Sequence, residues 1–328
     1  MDLERITKDN FISHIASEKR PWQEDYLVMY SSQWRGFVTD PGLMTVPIDD
    51  HVVHRGDGVF DVMRCVKGNI YQMEAHLQRL ERSAESISLD LPPDYGQIRD
   101  IIRTLILAGG EKECLIRVIL SRGPGSFSTN PYECPLSHIY VVVIRYHSLP
   151  EKLYQDGIPI VTSRIPIKKS YFATIKSCNY LPNVLMKMEA IQAGCKYSVA
   201  LDEEGCLAEG STENVGVVSR DGVLKFPGFE KTLAGITVKR IFELAELLAR
   251  NGVIQDVQFE RIPLNEAYLC SEVMLFGTSI NILPVVSFDG NTVGDGAPGP
   301  VYLKLSSLLW KDMCENKDLL TSLDWESQ

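Results

Sequence analysis

The chain contains 328 residues, of which 45% are hydrophobic, and its formal net charge is −10 at pH 7. A chain of this length and hydrophobicity buries a sizeable core, which excludes an intrinsically disordered protein and favours two domains. The acidic charge, with no basic stripe along the sequence, argues against a nucleic-acid partner.

Targeting signals and cysteine spacing indicate the compartment. The opening residues, MDLERITKDN, lack the apolar segment of a signal peptide, and no apolar run approaches the roughly 20 residues of a membrane span. The eight cysteines form no C-x-x-C pair, which is typical of reduced thiols. The sequence therefore predicts a cytoplasmic protein that interacts with no membrane.

The first 147 residues predict a smaller N-terminal α/β domain. Apolar periodicity and β-branched runs predict a helix within 1–24, strands at 26–29 and 34–38, helices at 71–89 and 95–108, and strands at 114–123 and 138–145. Arg117 interrupts one of these strands at its centre, so we expect a buried guanidinium that meets either an internal carboxylate or a substrate.

Residues 148–152 predict a hinge, and 153–328 a larger C-terminal α/β domain. Its predicted strands are 158–165, 197–201, 212–218, 223–226, 253–260 and 272–276, and its final helix is 300–315. A helix after Lys176 carries one apolar stripe that we expect to be buried, formed by Leu181, Val184, Leu185, Met188 and Ile191. Another begins near Gly235 and is expected to face the core with Ile241, Leu244, Ala245 and Leu248.

Lys176 and Glu209 are a pair of residues that could carry out chemistry. The lysine lies at the start of a helix, and the glutamate follows one helix and one hairpin later. An amine at the mouth of a site and a carboxylate deeper inside suit an aldehyde cofactor with a basic ring nitrogen. The alternatives are a solvated lysine at a helix start and a glutamate in a turn.

The stretch around this pair resembles a known family. K-S-C-N-Y-L-P-N-V-L, then M-E-A-I-Q-A-G, then L-D-E-E-G-C-L-A-E-G-S-T-E-N are similar to motifs of the fold-type IV enzymes that use pyridoxal 5'-phosphate (PLP). That family includes branched-chain aminotransferases, D-amino acid aminotransferases and aminodeoxychorismate lyases. The resemblance implies an α/β (α+β) two-domain fold of the D-amino acid aminotransferase type, with PLP in the cleft between the domains. It also implies that Lys176 carries PLP, that Glu209 pairs with the pyridine nitrogen, and that Tyr180 contacts the cofactor.

Three further motifs imply a phosphate site. H-x-x-R-L assigns the PLP phosphate to Arg79, which helical periodicity alone would leave in solvent. G-I-T-V resembles the family's G-I-T-R and adds Ile236 and Thr237 at a helix N-terminus, where unpaired amides favour an anion. Thr237 is equally compatible with an N-cap. Thr278 matches a turn residue shared between phosphate and substrate carboxylate, and Ser279 lies beside it on the substrate side.

The substrate side is less determined. The segment around Gly58 resembles the family strand that lines the active site, which implies that Phe60 is a pocket wall. An arginine suits a carboxylate because its fork binds two oxygens, and Arg55, Arg117 and Arg122 all remain candidates. The loop over 123–135 lacks the Arg and His with which D-amino acid aminotransferases bind this group.

These features imply an aminotransferase that exchanges an amino group between an α-amino acid, of branched-chain or D type, and a 2-oxo acid such as 2-oxoglutarate or pyruvate. The alternatives are an aminodeoxychorismate lyase, which eliminates pyruvate, and a relative without activity. The resemblance implies a homodimer. No metal is expected, because no third ligand accompanies His51 and His54.

Overall fold

The computed structural model of the chain describes residues 3–17 and 20–326. The α-helices of this part are α1 (Lys8–Ser17), α2 (His51–His54), α3 (Met73–Ser86), α4 (Ile98–Gly109), α5 (Glu151–Gln155), α6 (Ser170–Ala173), α7 (Leu181–Gln192), α8 (Ile236–Arg250), α9 (Leu264–Ala267) and α10 (Pro300–Glu315). Its strands are β1 (Tyr26–Ser31), β2 (Gly36–Val38), β3 (Gly58–Val66), β4 (Asn69–Tyr71), β5 (Cys114–Ser121), β6 (His138–Arg145), β7 (Ile158–Thr162), β8 (Tyr197–Leu201), β9 (Leu207–Gly210), β10 (Asn214–Val218), β11 (Val223–Phe226), β12 (Asp256–Phe259), β13 (Glu272–Gly277), β14 (Asn281–Phe288), β15 (Asn291–Thr292) and β16 (Leu320–Ser322).

The first sheet is antiparallel, with strand order β16-β4-β3-β5-β6-β1-β2. Helices α3 and α4 cover it, and their apolar faces, which include Leu77, Leu80, Ile102 and Leu105, lie in one core with β3, β5 and β6. The apolar periodicity that predicts these two helices matches this burial. In α3, however, the polar residues His76, Arg79 and Ser83 are buried as well. One face of the sheet is therefore fixed against helices.

The second sheet is mixed, with order β12-β11-β10-β13-β14-β7-β8-β9 and β15 paired to β14. Strand β9 also pairs with β10, where Glu209 lies opposite Asn214, so the path from β10 through β13, β14, β7 and β8 returns on itself. Helices α8 and α10 cover one side of this sheet. The closure brings the end of β9, and Glu209 with it, next to the segment that leads into α8.

Helix α7 corrects one prediction. The helix buries Met186 and Ala190, whereas Leu181, Val184, Met188 and Ile191 are between 49% and 69% exposed. The predicted buried stripe is wrong because the narrow face with Met186 and Ala190 is the one that lies against β8. Periodicity identifies an apolar face but not the surface that covers it. The inward face predicted for α8 is confirmed, since Ile241, Leu244, Ala245 and Leu248 are buried.

Other differences concern single residues and strands. Arg117 on β5 is exposed, so the expectation of a buried guanidinium is wrong; the strand alternates, and Arg117 is on its outer face. Much of β14 and the short β16 had no strand prediction. The division into two domains at 148–152 stays a prediction, although β6 ends at Arg145, β7 begins at Ile158, and α5 starts within the proposed hinge.

Candidate active site

Lys176 is held in place by backbone pairing with β3. Its carbonyl accepts from the Phe60 amide at 2.9 Å, and the Cys178 amide donates to the Gly58 carbonyl at 2.8 Å. The lysine therefore follows the short helix α6 and precedes α7 by about one turn. This pairing fixes the direction in which the lysine side chain leaves the backbone.

The Lys176 amine lies among aromatic rings. Its Nζ is 3.4 Å from the Tyr180 hydroxyl and 4.8 Å from the centre of the Phe60 ring, and these two rings meet edge to face at 5.0 Å. Burial, with the nearby Arg79 guanidinium as a second cause, lowers the pKa of Lys176 to about 8, while Asp61 opposes the shift. More of the amine is then neutral near pH 7, which is the form that attacks a carbonyl.

Glu209 lies in the same pocket as Lys176 and Tyr180. Its carboxylate accepts the Leu233 N–H at 3.0 Å. Burial raises the pKa of Glu209 to about 7, against the effects of that N–H and of Lys168 and Lys176. The alternative of a simple turn residue is wrong, because Glu209 belongs to β9 and its side chain lines the pocket.

The start of α8 forms a second, adjoining pocket. The helix begins at Ile236 after Gly235, which has no side chain to cap the first amides. Ile236, Thr237 and Thr278 line this pocket together with Arg64. Thr237 is not the N-cap that periodicity allowed, since it already lies within the helix. The arrangement offers unpaired N–H groups and hydroxyls of the kind that bind phosphate.

Arg79 is anchored beside the segment that leads into α8. Its guanidinium donates twice to the Asp61 carboxylate, at 2.7 Å each, and once to the Ala234 carbonyl at 3.3 Å. The Ala234 carbonyl lies between Leu233, which contacts Glu209, and Ile236, which starts α8. Arg79 is only 7% exposed, so the solvated position suggested by periodicity is wrong.

Asp61 is the fully buried partner of this arginine. It also accepts from His76 Nδ1 at 2.8 Å. Burial alone would raise its pKa, but Arg79 and His76 hold the pKa of Asp61 well below its usual range. Burial in turn lowers the pKa of His76, with Asp61 opposing. Every charge in this cluster, which we call the Asp61 cluster (Asp61, His76 and Arg79), has a partner.

The three candidate arginines differ in their partners. Arg122 forms a bidentate pair with Asp57 and also donates to the carbonyls of Ile87 and Ser88. Arg55 donates to the carbonyls of His54 and Phe127.

Arg117 differs from both. Its guanidinium lies 5.2 Å from the centre of the Phe60 ring, on the same ring that Lys176 contacts. It forms no ion pair within the described part of the chain. Ser279 is exposed, and its carbonyl accepts from Tyr146.

Several residues of the site were not found from the sequence. Lys168 lines the pocket of Lys176 and its Nζ lies 4.8 Å from the centre of the Tyr180 ring. Glu213 is buried in the same pocket and accepts from Ser211 and Thr212. Asp61 had a signal, because it stands inside the strand that resembles the family's active-site strand. Lys168 had none, since it reads as one of two adjacent lysines before a short helix.

Within residues 3–17 and 20–326, no cluster of three potential ligands suits a metal ion. His51 instead contacts Asp57 at 3.2 Å and the Ser126 carbonyl at 3.2 Å.

Comparisons with known proteins identify the family of this chain. The family profile of amino-transferase class IV matches residues 58–288. The chloroplastic D-amino-acid transaminase of Arabidopsis thaliana is 38% identical over 291 residues, which cover 88% of this chain and 77% of that protein. The T.th. branched-chain amino acid aminotransferase, solved with pyridoxamine 5'-phosphate, has a TM-score of 0.84 at 25% identity and covers 91% of this chain and 99% of its own. The 4-amino-4-deoxychorismate lyase of Pseudomonas aeruginosa has a TM-score of 0.72 at 23% identity, covers 87% and 98% of the two chains, and shows the fold alone.

The chain therefore belongs to the class IV aminotransferases. It is a transaminase whose cofactor is pyridoxal 5'-phosphate, and the α/β (α+β) fold-type IV class inferred from its motifs is confirmed.

The pocket fits this cofactor in a way that is independent of the likeness. Three of the buried polar atoms without a partner among the described residues line these pockets: Arg64 Nε and Gln72 Nε2 beside the α8 pocket, and Asn183 Oδ1 beside Lys176. Buried polar atoms are normally paired, so these three indicate where a polar ligand belongs. The two donors, Arg64 Nε and Gln72 Nε2, line the pocket at the α8 N-terminus, where they could bind a phosphate.

Proposed function

We propose that this transaminase exchanges the amino group between an α-amino acid, of branched-chain or D type, and a 2-oxo acid such as 2-oxoglutarate or pyruvate. The observation that carries the proposal is one pocket that holds an amine of lowered pKa, Lys176, and a carboxylate of raised pKa, Glu209. When bound, the cofactor supplies an aldehyde and an electron-accepting ring. The chain supplies the groups that bind it and move protons.

Lys176 is proposed to hold the cofactor covalently and, once released by the substrate amine, to move the proton from the substrate Cα. Its amine suits that task because a pKa of about 8 lies near the working pH. Glu209 is proposed to pair with the ring nitrogen. The Tyr180 hydroxyl, 3.4 Å from Nζ, is proposed to orient the lysine and contact the cofactor.

The phosphate is assigned to Arg79, Ile236, Thr237 and Thr278. Support comes from the position of the last three residues around one pocket at the α8 N-terminus, and from the link between Arg79 and the Ala234 carbonyl. Ser279 is proposed to contribute to the substrate side of the same turn. A helix N-terminus and two hydroxyls suit a dianionic phosphate because they place partial positive charge around it.

Among the three arginines, Arg117 is the proposed clamp for the substrate α-carboxylate, beside the pocket wall Phe60. Arg122 is occupied by Asp57, and Arg55 by two backbone carbonyls, so neither offers a free fork. We expect Arg117→Ala to raise the KM for amino acid about 10-fold or more, because charge-assisted hydrogen bonds to carboxylate are lost. The matched variant Arg55→Ala, also exposed and on the rim, is expected to change KM by less than about 2-fold. Equal effects in the two variants would reject Arg117 as the clamp.

The reaction is tested by trapping and by exchange. Borohydride reduction of the PLP-loaded protein followed by peptide mapping is expected to place the added mass on Lys176 alone. Stoichiometric exchange between an amino acid and a 2-oxo acid is the second expected result, measured with a panel of L- and D-amino acids. Release of pyruvate and 4-aminobenzoate from aminodeoxychorismate, without any amino acceptor, would instead support the lyase. Mass on another lysine would overturn the proposal.

The homodimer is proposed from α7. Its four exposed apolar residues, Leu181, Val184, Met188 and Ile191, recur at helical spacing on one face next to Lys176, and an exposed apolar face of this kind suits a second copy of the chain. Light scattering is expected to give twice the monomer mass for the native chain and a shift to monomer for Val184→Asp. Leu247→Asp, on the 45% exposed Leu247 of α8, is the control that should leave the mass unchanged. A native monomer would contradict the proposal.

The cytoplasmic location also stays a proposal. The described residues include eight free cysteines, in keeping with a reducing compartment. None of the helices in the described part of the chain has the length and hydropathy needed to cross a bilayer. Cell fractionation is the direct measurement, and recovery of the protein within an organelle would refute the cytoplasmic assignment.

A further inference from the structure

Lys168 is an unexplained cation in the pocket. It lies on the connector between β7 and α6, half-buried, with its Nζ 4.8 Å from the centre of the Tyr180 ring. Its neighbour Lys169 is exposed, as an ordinary surface lysine is. Within residues 3–17 and 20–326, Lys168 forms no ion pair. A buried ammonium without an anion is costly, so its position requires a reason.

Among the described residues, Glu209 is the carboxylate whose charge acts on Lys168, and Glu213 lines the same pocket. Burial lowers the pKa of Lys168, and the charge of Glu209 is the main effect that opposes this. In the proposed function Glu209 pairs with the cofactor ring and is no longer available to offset a second cation. The loaded pocket therefore has an amine at Lys168 and no protein carboxylate committed to it.

Two aromatic rings at the centre of the site, Phe60 and Tyr180, separate the Arg117 and Lys168 side chains. Phe60 and Tyr180 meet at 5.0 Å, and Lys176 Nζ contacts both, at 4.8 Å and 6.0 Å from the two ring centres. Arg117 lies on the Phe60 side and Lys168 on the Tyr180 side. If the amino group of a substrate takes the place of Lys176 Nζ, Arg117 lies next to the substrate at the Phe60 ring and Lys168 lies next to it at the Tyr180 ring.

We propose that Lys168 determines specificity by binding the second, distal carboxylate of a dicarboxylic amino acid and of its 2-oxo acid. This inference rests on the proposed function, in which Arg117 takes the α-carboxylate. A monocarboxylic substrate uses one of the two cations, whereas a dicarboxylic substrate uses both. Lys168 acts by contact with the substrate and takes no part in the proton transfer at Cα.

The first experiment compares two acceptors of equal chain length, 2-oxoglutarate and 2-oxopentanoate, with one common amino donor. For Lys168→Met we expect kcat/KM for 2-oxoglutarate to fall about 10- to 100-fold, mainly through KM, because one charge-assisted hydrogen bond is lost. The value for 2-oxopentanoate is expected to change less than about 3-fold. Lys169→Met, the exposed neighbour, is the matched control and should affect neither, whereas Lys168→Arg should retain part of the preference.

The second experiment measures binding without turnover. Calorimetry on the PLP-loaded protein compares glutarate with pentanoate, and glutarate is expected to bind at least about 10-fold more tightly in the native chain and not in Lys168→Met. Equal affinities in the native chain would overturn the inference, and so would equal losses for both acceptors in the variant. If Lys168→Met fails to fold, Lys168→Gln takes its place, and the native comparison still decides.

The outcomes separate this inference from the proposed function. A native protein that transaminates but shows no difference between glutarate and pentanoate refutes the role of Lys168 only. A native protein that neither transaminates nor retains pyridoxyl phosphate at Lys176 after borohydride refutes the proposed function itself. In that case the inference about Lys168, which rests on the proposed function, is overturned with it.

Discussion

The Asp61 cluster and the Lys176 pocket are neighbours with opposite electrostatics. In the cluster, Asp61 is fully buried and every charge has a partner within 2.8 Å. In the pocket, Lys176, Lys168 and Glu209 are desolvated and their pKa values shift towards the neutral forms. Paired charges hold their side chains in place. The desolvation cost of unpaired charges, by contrast, can be offset when a ligand binds and pairs with them. The comparison separates a cluster of paired charges from a pocket of charges that lack protein partners.

The largest expected effect is a loss of stability when the Asp61 cluster is disrupted. Asp61→Asn leaves the Arg79 guanidinium buried without its carboxylate, so we expect the free energy of unfolding of the PLP-free protein to fall by about 3–5 kcal/mol. Urea denaturation followed by circular dichroism measures it. The control is Asp100→Asn, which removes an exposed pair with Arg103 and should cost less than about 1 kcal/mol. Similar losses in the two variants would show that the cluster is not a stabilising unit.

The next prediction concerns Lys176 and has the opposite sign. The pKa of this amine is about 8 in the folded chain against an ordinary value of 10.5, so its neutral form is favoured by folding. That contribution to stability is present above pH 10.5 and is lost as the pH falls through 8. At pH 7, Lys176→Met should therefore raise the free energy of unfolding of the PLP-free protein by about 2 kcal/mol, discounted for partial exposure, while transamination is lost. A variant that is less stable than the native chain at pH 7 would contradict the lowered pKa of Lys176.

Glu209 gives a matching dependence in the acidic range. Its folded pKa of about 7 exceeds the ordinary value of 4.5, so the protonated form is favoured by folding. Stability from this group is full below pH 4.5 and is lost as the pH rises through 7. In the PLP-free protein we expect the native chain to lose about 2 kcal/mol relative to Glu209→Gln between those values, after a discount for the partial exposure of Glu209. Parallel pH profiles of the two proteins would contradict the desolvated carboxylate.

The smallest effect tests the phosphate side. Thr237→Val removes one hydroxyl at the α8 N-terminus but keeps the backbone amides, so PLP affinity should fall about 5- to 10-fold. Fluorescence titration of the PLP-free protein measures the dissociation constant. Thr104→Val, on the exposed Thr104 of α4, should leave it unchanged. An unaltered constant for Thr237→Val would remove that residue from the phosphate site.

The sequence predicts the scaffold better than the reactive pocket. Apolar periodicity is sufficient to predict the helices α3, α4 and α8, because one face of each helix packs against a sheet. It fails for α7, whose apolar face is exposed in the single chain, and for Arg79, which is buried only because Asp61 on another element pairs with it. Motif spacing places Lys176 and Glu209 together, since it encodes the helix and hairpin between them.

Lys168 illustrates the remaining limit. Its residue type and neighbours are those of a surface lysine, and its burial depends on Tyr180, 12 positions later, which turns back over the connector only in the folded chain. The choice among Arg55, Arg117 and Arg122 likewise depends on which carbonyls and carboxylates occupy the other two. Such long-range pairing leaves no pattern in the local sequence.

Strand β16 has a consequence for how the chain folds. Leu320–Ser322 pair with β4 at the edge of the first sheet, and the Trp325 indole donates to the Gly68 carbonyl at 2.9 Å. The ribosome makes this segment long after it has made β4, so during translation the edge of the first sheet remains open for pairing with other chains. During translation β4 therefore remains an unpaired edge strand of the first sheet until β16 emerges from the exit tunnel.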